Sequence, residues 1–451
     1  MENLDGTIIA TALPQMARSF HANPVDLSSG MTAYMLTLAV FIPVSGWLAD
    51  RVGPRTVFTA AIALFTAASI LCGLSQGVLP FTAARVLQGI GGAMMVPVGR
   101  LVILRATEKK DLLRSISFIT WPGLVAPVLG PPLGGFITDQ TSWRWIFFLN
   151  VPLGIVGIAM ALWLISNQRE EDSRRFDWLG FLLGGTSCVA FMYGLELMGR
   201  QNVVWPSVAG FLAYSIVAGW FVVRHLHRTS EPLVNLDCLK TQTFTVSLRG
   251  GSFFRIAIMA SPFLLPLMFQ VAFGLSAFHS GLFVFAMFAG NLAMKTATTW
   301  VLKKFGFRTV LVVNGAISSL LIAACGFLRP STPVAVIVAV LFLHGLSRSM
   351  QFTGFNTLAF VDIGKSLLSS ATSFAAVIQQ MGMGLGVAVG AVALRAAAWF
   401  RTGGGQTASL PVLEDFHLAF WLVAALPLLA IIDCLHLPPN AGADVTGHRQ
   451  A

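Results

Sequence analysis

Two ionisable residues stand in apolar runs where charge is expensive. Asp5 lies in Leu4-Asp5-Gly6-Thr7-Ile8-Ile9-Ala10-Thr11-Ala12-Leu13-Pro14, and Arg85 opens Arg85-Val86-Leu87-Gln88-Gly89-Ile90-Gly91-Gly92-Ala93. A carboxylate near mid-bilayer costs roughly 2.5–3.5 kcal/mol on insertion scales. Desolvation favours its neutral form, so such a group can take up and release a proton as its surroundings alternate. Arginine keeps its charge at any cellular pH, and beside a carboxylate it holds that group ionised until a proton or another cation competes. The i, i+3 spacing of Arg85 and Gln88 puts both on one helix face. The competing readings are an N-terminal surface acid at Asp5 and, at Arg85, an arginine that snorkels from the outer end of its span.

Further charges interrupt other apolar runs. Glu196, Lys295 and Arg348, with Gln88, are candidates to line an internal cavity, Lys295 being the most central; Arg100, Arg255 and Asp433 are of the same kind. Gly46-Trp47-Leu48-Ala49-Asp50-Arg51-Val52-Gly53-Pro54-Arg55 reads as a tight turn between two runs. Gly53 and Pro54 break the helix there, and Arg51 and Arg55 mark a cytoplasmic membrane edge. Gly46, Asp50, Arg51, Gly53 and Arg55 are thus expected to form a conformational loop. Pro127, Gly130, Pro131, Gly134 and Gly135 fall in one run, where proline kinks a helix and glycine admits a neighbouring backbone. The Gly382 to Gly390 run has no preceding strand and reads as helix packing, not as a dinucleotide loop. Cys72, Cys188, Cys238, Cys325 and Cys434 form no disulfide or zinc spacing. There is no Walker loop, metal-spaced histidine cluster or nucleophile elbow, so an enzyme, a bound metal and a cofactor are not expected.

The elements that must position these residues are membrane helices. The 451 residues are 55% hydrophobic and 11% charged, with a mean hydropathy of +0.76, which describes an all-α polytopic membrane protein. The net charge of +10 comes from basic residues clustered in short loops, a topology signal rather than a nucleic-acid surface. Spans are expected near 1–19, 31–49, 56–76, 81–104, 115–138, 146–166, 178–198, 204–226, 251–272, 277–301, 309–328, 334–358, 369–398 and 416–437. The first is short of a full crossing, and its native start is expected roughly 15–20 residues upstream of Met1. Asp50 to Val57 recurs in degenerate form as Lys303 to Val310, which predicts two homologous halves. The expected divisions are an N-terminal six-span bundle over 1–166, two inserted spans over 167–240, a C-terminal six-span bundle over 241–437 and a polar cytoplasmic tail over 438–451.

Taken together the motifs resemble those of the major facilitator superfamily, and within it the 14-span drug:proton antiporters. The Gly46 to Arg55 turn matches that superfamily's G-x-L-A-D-R-x-G-x-R loop. The Asp5 run is similar to its L-D-x-T-I-x-x-x-A-L-P signature, and the Arg85 run to R-x-x-x-Q-G-x-G-x-A with one residue fewer before the glutamine. Gly130-Pro131-Pro132-Leu133-Gly134-Gly135 resembles the antiporter motif G-P-x-x-G-G. Trp143-Arg144-Trp145-Ile146-Phe147-Phe148-Leu149-Asn150-Val151-Pro152-Leu153-Gly154 resembles W-R-W-I-F-x-I-N-x-P-x-G and reads as an interfacial anchor. The resemblance implies two six-helix bundles rocking about a central cavity. It also implies a multi-pass protein of the bacterial inner membrane that exports apolar or cationic small molecules in exchange for protons, with Asp5 and Arg85 in proton coupling. Its partners would be the small-molecule substrate, protons and the lipid bilayer, with no nucleic acid. A dedicated metabolite or siderophore exporter of the same fold, and a non-transporting membrane sensor or scaffold, are the alternatives.

Overall fold

The computed structural model describes residues 1–21, 24–108, 111, 114–116, 130, 133–134, 136–138, 140–166, 175–199, 203–275, 277–402 and 411–447. Among the described residues the regular structure is helical, with no strand. The helices are α1 Glu2–Ser19, α2 Pro24–Phe41, α3 Val44–Val52, α4 Pro54–Leu74, α5 Val78–Ala106, α6 Trp145–Phe148, α7 Asn150–Leu164, α8 Trp178–Gly199 and α9 Trp205–Arg228. They continue as α10 Gln242–Leu267, α11 Ala277–Phe305, α12 Phe307–Cys325, α13 Val334–Val361, α14 Leu368–Arg401, α15 Leu413–Ala424, α16 Leu426–Leu435 and the short α17 Ala443–Thr446.

Eleven described helices, counting joined pieces as one, are long and apolar enough to cross a bilayer, and a twelfth span forms if Gly30–Phe41 and Val44–Val52 are one. That pair is bent by 58°, a departure from the continuous span expected over 31–49. The break falls at Ile42 and Pro43, where proline cannot donate to the helix ladder, and the Ser45 hydroxyl donates to the Ile42 carbonyl at 2.6 Å. α1 is not among the eleven, since Glu2, Asp5 and Arg18 all lie in it. The span expected near 115–138 falls largely outside the described residues, and with it Pro127, Pro131 and Gly135. Gly130 and Gly134 are helical and buried.

The internal repeat has a backbone counterpart. α3 ends at Val52 and α4 starts at Pro54 around Gly53, whose φ is 98°. α11 ends at Phe305 and α12 starts at Phe307 around Gly306, whose φ is 73°. Both angles are in territory that side chains other than glycine's rarely enter. Between these repeats, α8 and α9 are joined by reciprocal bonds, Ser187 Oγ donating to the Ser215 carbonyl at 2.9 Å and Ser215 Oγ to the Ser187 carbonyl at 3.0 Å. α8 lies along both α2 and α14: a Cβ on Gly185 would stand 3.2 Å from Val40, and one on Gly384 would stand 3.1 Å from Met192 Sδ. On the same run of α14, a Cβ on Gly386 would meet Met259 Cβ at 2.5 Å and the Ile256 carbonyl at 2.7 Å, so the run packs helices closely, as small residues in membranes do.

In the stretch after Leu437, expected to be a polar tail, Ala441, Gly442, Val445 and Thr446 are buried while Pro438, Pro439, Asn440, Asp444 and Gly447 are exposed. Ala441 and Val445 join the core beside Phe307, and a Cβ on Gly442 would lie 2.5 Å from that ring. Residues 448–451 lie outside the described residues.

Candidate functional site: a buried ion pair and its amide shell

α1 and α5 bring the two charges together. Arg85 Nη1 donates to Asp5 Oδ2 at 2.5 Å, and each side chain is 1% exposed. Arg85 Nη1 also donates to Gln88 Oε1 at 2.6 Å, as the shared helix face requires. The Gln88 amide then turns back, Nε2 donating to Asp5 Oδ1 at 3.0 Å and to Ser69 Oγ on α4 at 2.8 Å. From α7, Asn150 Nδ2 donates to Asp5 Oδ1 at 3.3 Å and to Ser69 Oγ at 3.2 Å. Ser69 Oγ passes its own proton to the Phe65 carbonyl at 2.8 Å. The Asp5 carboxylate therefore accepts bonds on both oxygens, from a guanidinium and two amides.

α2 closes the site from the other side. The Arg85 guanidinium carbon lies 4.2 Å from the Tyr34 ring centroid, in range of a cation–π contact. Glycines set that approach: a Cβ on Gly89 would stand 2.9 Å from the Tyr34 carbonyl, and one on Gly30 would stand 2.6 Å from the Phe81 ring. Arg85 is not an outer-end snorkeller, and Asp5 is not on the surface, being 2% exposed. Taking away one partner of such a pair strands the other charge in low dielectric, at about 3–5 kcal/mol.

Asn150 and Ser69 carry no role in the sequence reading. The stretch around Asn150 reads there as an interfacial aromatic anchor, yet Trp143 is 3% and Phe147 1% exposed, and Trp143 packs edge-on to Phe20 at 5.3 Å. Trp145, at 57% exposed, fits the anchor reading. The available signal was the amide of Asn150 standing alone between apolar residues: an unsatisfied amide inside a membrane is costly, so it had to have a partner.

The turn residues form a second cluster. Asp50 Oδ1 accepts from Arg105 Nη2 at 2.8 Å, both side chains mostly shielded, and the Arg51 guanidinium lies 5.2 Å from the Trp47 ring. Arg55 lends its carbonyl to the Thr59 hydroxyl at 2.9 Å. Gly46 lies close against α14: a Cβ there would meet Ser373 Oγ at 2.6 Å and the Ser369 carbonyl at 2.8 Å. Next to it, the Ser45 and Ser373 hydroxyls are 3.1 Å apart.

The remaining candidates are dispersed. Lys295 on α11 donates to Thr353 Oγ1 on α13 at 2.5 Å. Arg348 is 7% exposed, its guanidinium carbon 5.7 Å from the Phe288 ring. Glu196 is half-buried near the end of α8. Gln88 belongs to the Asp5 cluster rather than lining a separate wall.

Known proteins share both the sequence and the arrangement. The Major Facilitator Superfamily profile matches residues 1–387. A relative from Serratia proteamaculans (strain 568), which carries the provisional name multidrug resistance protein MdtD, is 37% identical over 430 residues, spanning 95% of this chain and 90% of its own. A protein with the same provisional name from Escherichia coli O6:H1 is 37% identical over 398 residues, covering 87% and 83%. Among solved structures, the human organic anion transporter MFSD10 aligns with a TM-score of 0.65 at 11% identity over 96% of each chain. The proton:xylose symporter XylE aligns at 0.64 and 13% identity over 98% and 94%. At these identities the two structures speak for the fold. The chain is a multi-pass membrane protein and belongs to the Major Facilitator Superfamily.

Proposed function

We propose that this chain exports small organic molecules of drug-like size across a bacterial inner membrane in exchange for protons. The multidrug names of its bacterial relatives support the cargo class, and the superfamily supports transport. The observation that carries the coupling is the buried Arg85–Asp5 pair. A proton arriving at Asp5 cancels the charge that Arg85 neutralises and replaces an acceptor lone pair with a donor. Gln88 and Asn150 each then lose an acceptor oxygen or must turn an amide. The cluster ties α1, α4, α5 and α7 together, so its rearrangement bears on how those helices pack. Two bundles rocking about a central site would turn that change into alternating access, with the α3–α14 contact at Gly46 as one closing face.

The driving force is adequate: one charge moved through 100 mV supplies about 2.3 kcal/mol. The sequence resemblance points to apolar or cationic cargo. Dye or drug counterflow in proteoliposomes under an imposed pH gradient tests the reading, with gradient-dependent movement supporting it. Movement that ignores the gradient would leave a transporter without the proposed coupling.

A further inference from the structure

We infer that Asp177 and His225 form a latch that holds α3 against α14 at the end of the molecule carrying Arg51. This deepens the exporter reading above and rests on its alternating access, since the latch fastens one of the two alternating states. Asp177 stands immediately before α8, and His225 is in the last turn of α9. The His225 Nε2 lies 2.7 Å from Asp177 Oδ1, and the carboxylate side chain is 4% exposed. An ionised carboxylate can only accept, so Nε2 carries the proton, whether the imidazole is neutral or charged. The same carboxylate caps α8, Oδ1 accepting from the Gly180 amide at 2.8 Å, as an aspartate before a helix does. A Cβ on Gly180 would collide with it. Its Oδ2 accepts at 3.3 Å from the amide of Leu233, in the segment between α9 and α10. Asp177 therefore joins the start of α8, the end of α9 and the chain beyond in one node.

Two struts leave this node. On one side Phe176 packs edge-on to Trp47 of α3, with ring centroids 4.8 Å apart. On the other, two residues past Leu233, the Asn235 amide donates to Ser370 Oγ on α14 at 3.1 Å. Leu233, Val234 and Leu236 are buried, so this strut is packed down along its length. Ser370 is about one turn from Ser373, whose hydroxyl is 3.1 Å from that of Ser45 on α3. The contacts close a ring: α3 meets α14 directly, and again by way of Phe176, Asp177, Leu233 and Asn235. Parting α3 from α14 means opening that ring. α8 and α9 have their own tie farther along, through Ser187 and Ser215, so the pair does not depend on Asp177 and His225 to stay together. What His225 adds is a fixed aim for the carboxylate that holds Leu233. The Leu233 bond is the longest of the three to Asp177, and it is the one most easily lost when that aim goes.

The test is the rate at which N-ethylmaleimide modifies purified full-length Ser373→Cys in detergent, read at that residue by mass spectrometry. Ser373 is 1% exposed, so the reagent reaches it only through an opening, and the rate follows the population of the open form. The native Cys325, 1% exposed in a separate part of the core, reports general loosening in the same sample. The expected result is labelling at position 373 about tenfold faster when Asp177→Ala or His225→Leu is added, in keeping with the loss of a hydrogen bond to a charged group, with Cys325 unchanged. His225→Gln keeps an N–H of similar reach and is expected to stay within about twofold of the parent. An unchanged rate at position 373 would overturn the latch. So would equal acceleration at Cys325, or His225→Gln behaving like His225→Leu. Labelling needs neither drug nor gradient, so the two proposals fail separately. An unchanged rate alongside gradient-driven transport sinks the latch alone, and faster labelling without gradient-driven transport sinks the export reading alone.

Discussion

Asn150 reaches from α7 to the Asp5 carboxylate at 3.3 Å, on the oxygen that Gln88 also serves, while Arg85 takes the other. The carboxylate is thus held by one element, α7, besides the helix that carries Arg85 and Gln88. Asn150→Ala is expected to weaken this hold without removing charge, at about 1–3 kcal/mol for the polar groups left unpaired. The expected outcome is gradient-driven transport reduced by roughly tenfold, the equivalent of 1.4 kcal/mol, at normal expression. Unchanged transport would remove Asn150 from the coupling cluster.

Asp50→Asn is expected to impair transport with little loss of stability. The asparagine would keep an oxygen to accept from Arg105 Nη2, so the change removes a charge rather than a partner, and its effect is read in the balance between states. Arg105→Gln should give the same phenotype, and Lys303→Asn, in the degenerate repeat, a milder one. Efflux at equal expression reads the difference, and wild-type rates in Asp50→Asn and Arg105→Gln would refute it.

Glycine substitutions should separate strain from crowding. Gly53→Ala forces a side chain to a φ of 98°, at a cost on the order of 1–3 kcal/mol. Gly345→Ala would put a Cβ 1.9 Å from the Met287 carbonyl, a backbone contact that cannot yield without parting α11 from α13, and should be the more damaging. Gly364→Ala, with open space around it, should be silent. Thermal unfolding midpoints in detergent check this order.

Much of this site could be read in the sequence because charge is conspicuous in an apolar run. Asp5 and Arg85 stood out for that reason, Gln88 through its i, i+3 spacing from Arg85, and Gly53-Pro54 announced its turn through backbone chemistry. Asn150 and Ser69 did not, because a neutral amide or hydroxyl is cheap enough to look incidental until its partner is known. The bend at Pro43 was hidden by unbroken hydrophobicity on either side, although proline was the available clue. The packing of Ala441 and Val445 was hidden because so short a segment shows no periodicity.

The helix ends carrying Arg51 and Lys303 are expected to face the cytoplasm. All five native cysteines are buried, so background labelling is low. Single cysteines at these exposed positions should resist a membrane-impermeant thiol reagent added to intact cells and react after lysis. Ready labelling of intact cells would reverse the orientation.

The coupling claim is tested most directly by proton flux in proteoliposomes holding the wild type, Asp5→Asn or Arg85→Ala, measured with a pH-sensitive dye as a transported drug is added. The expected result is drug-dependent proton movement in the wild type, lost in both variants, with drug counterflow surviving in Asp5→Asn, whose amide keeps the site's shape. Drug-dependent proton movement persisting in Asp5→Asn would contradict the account.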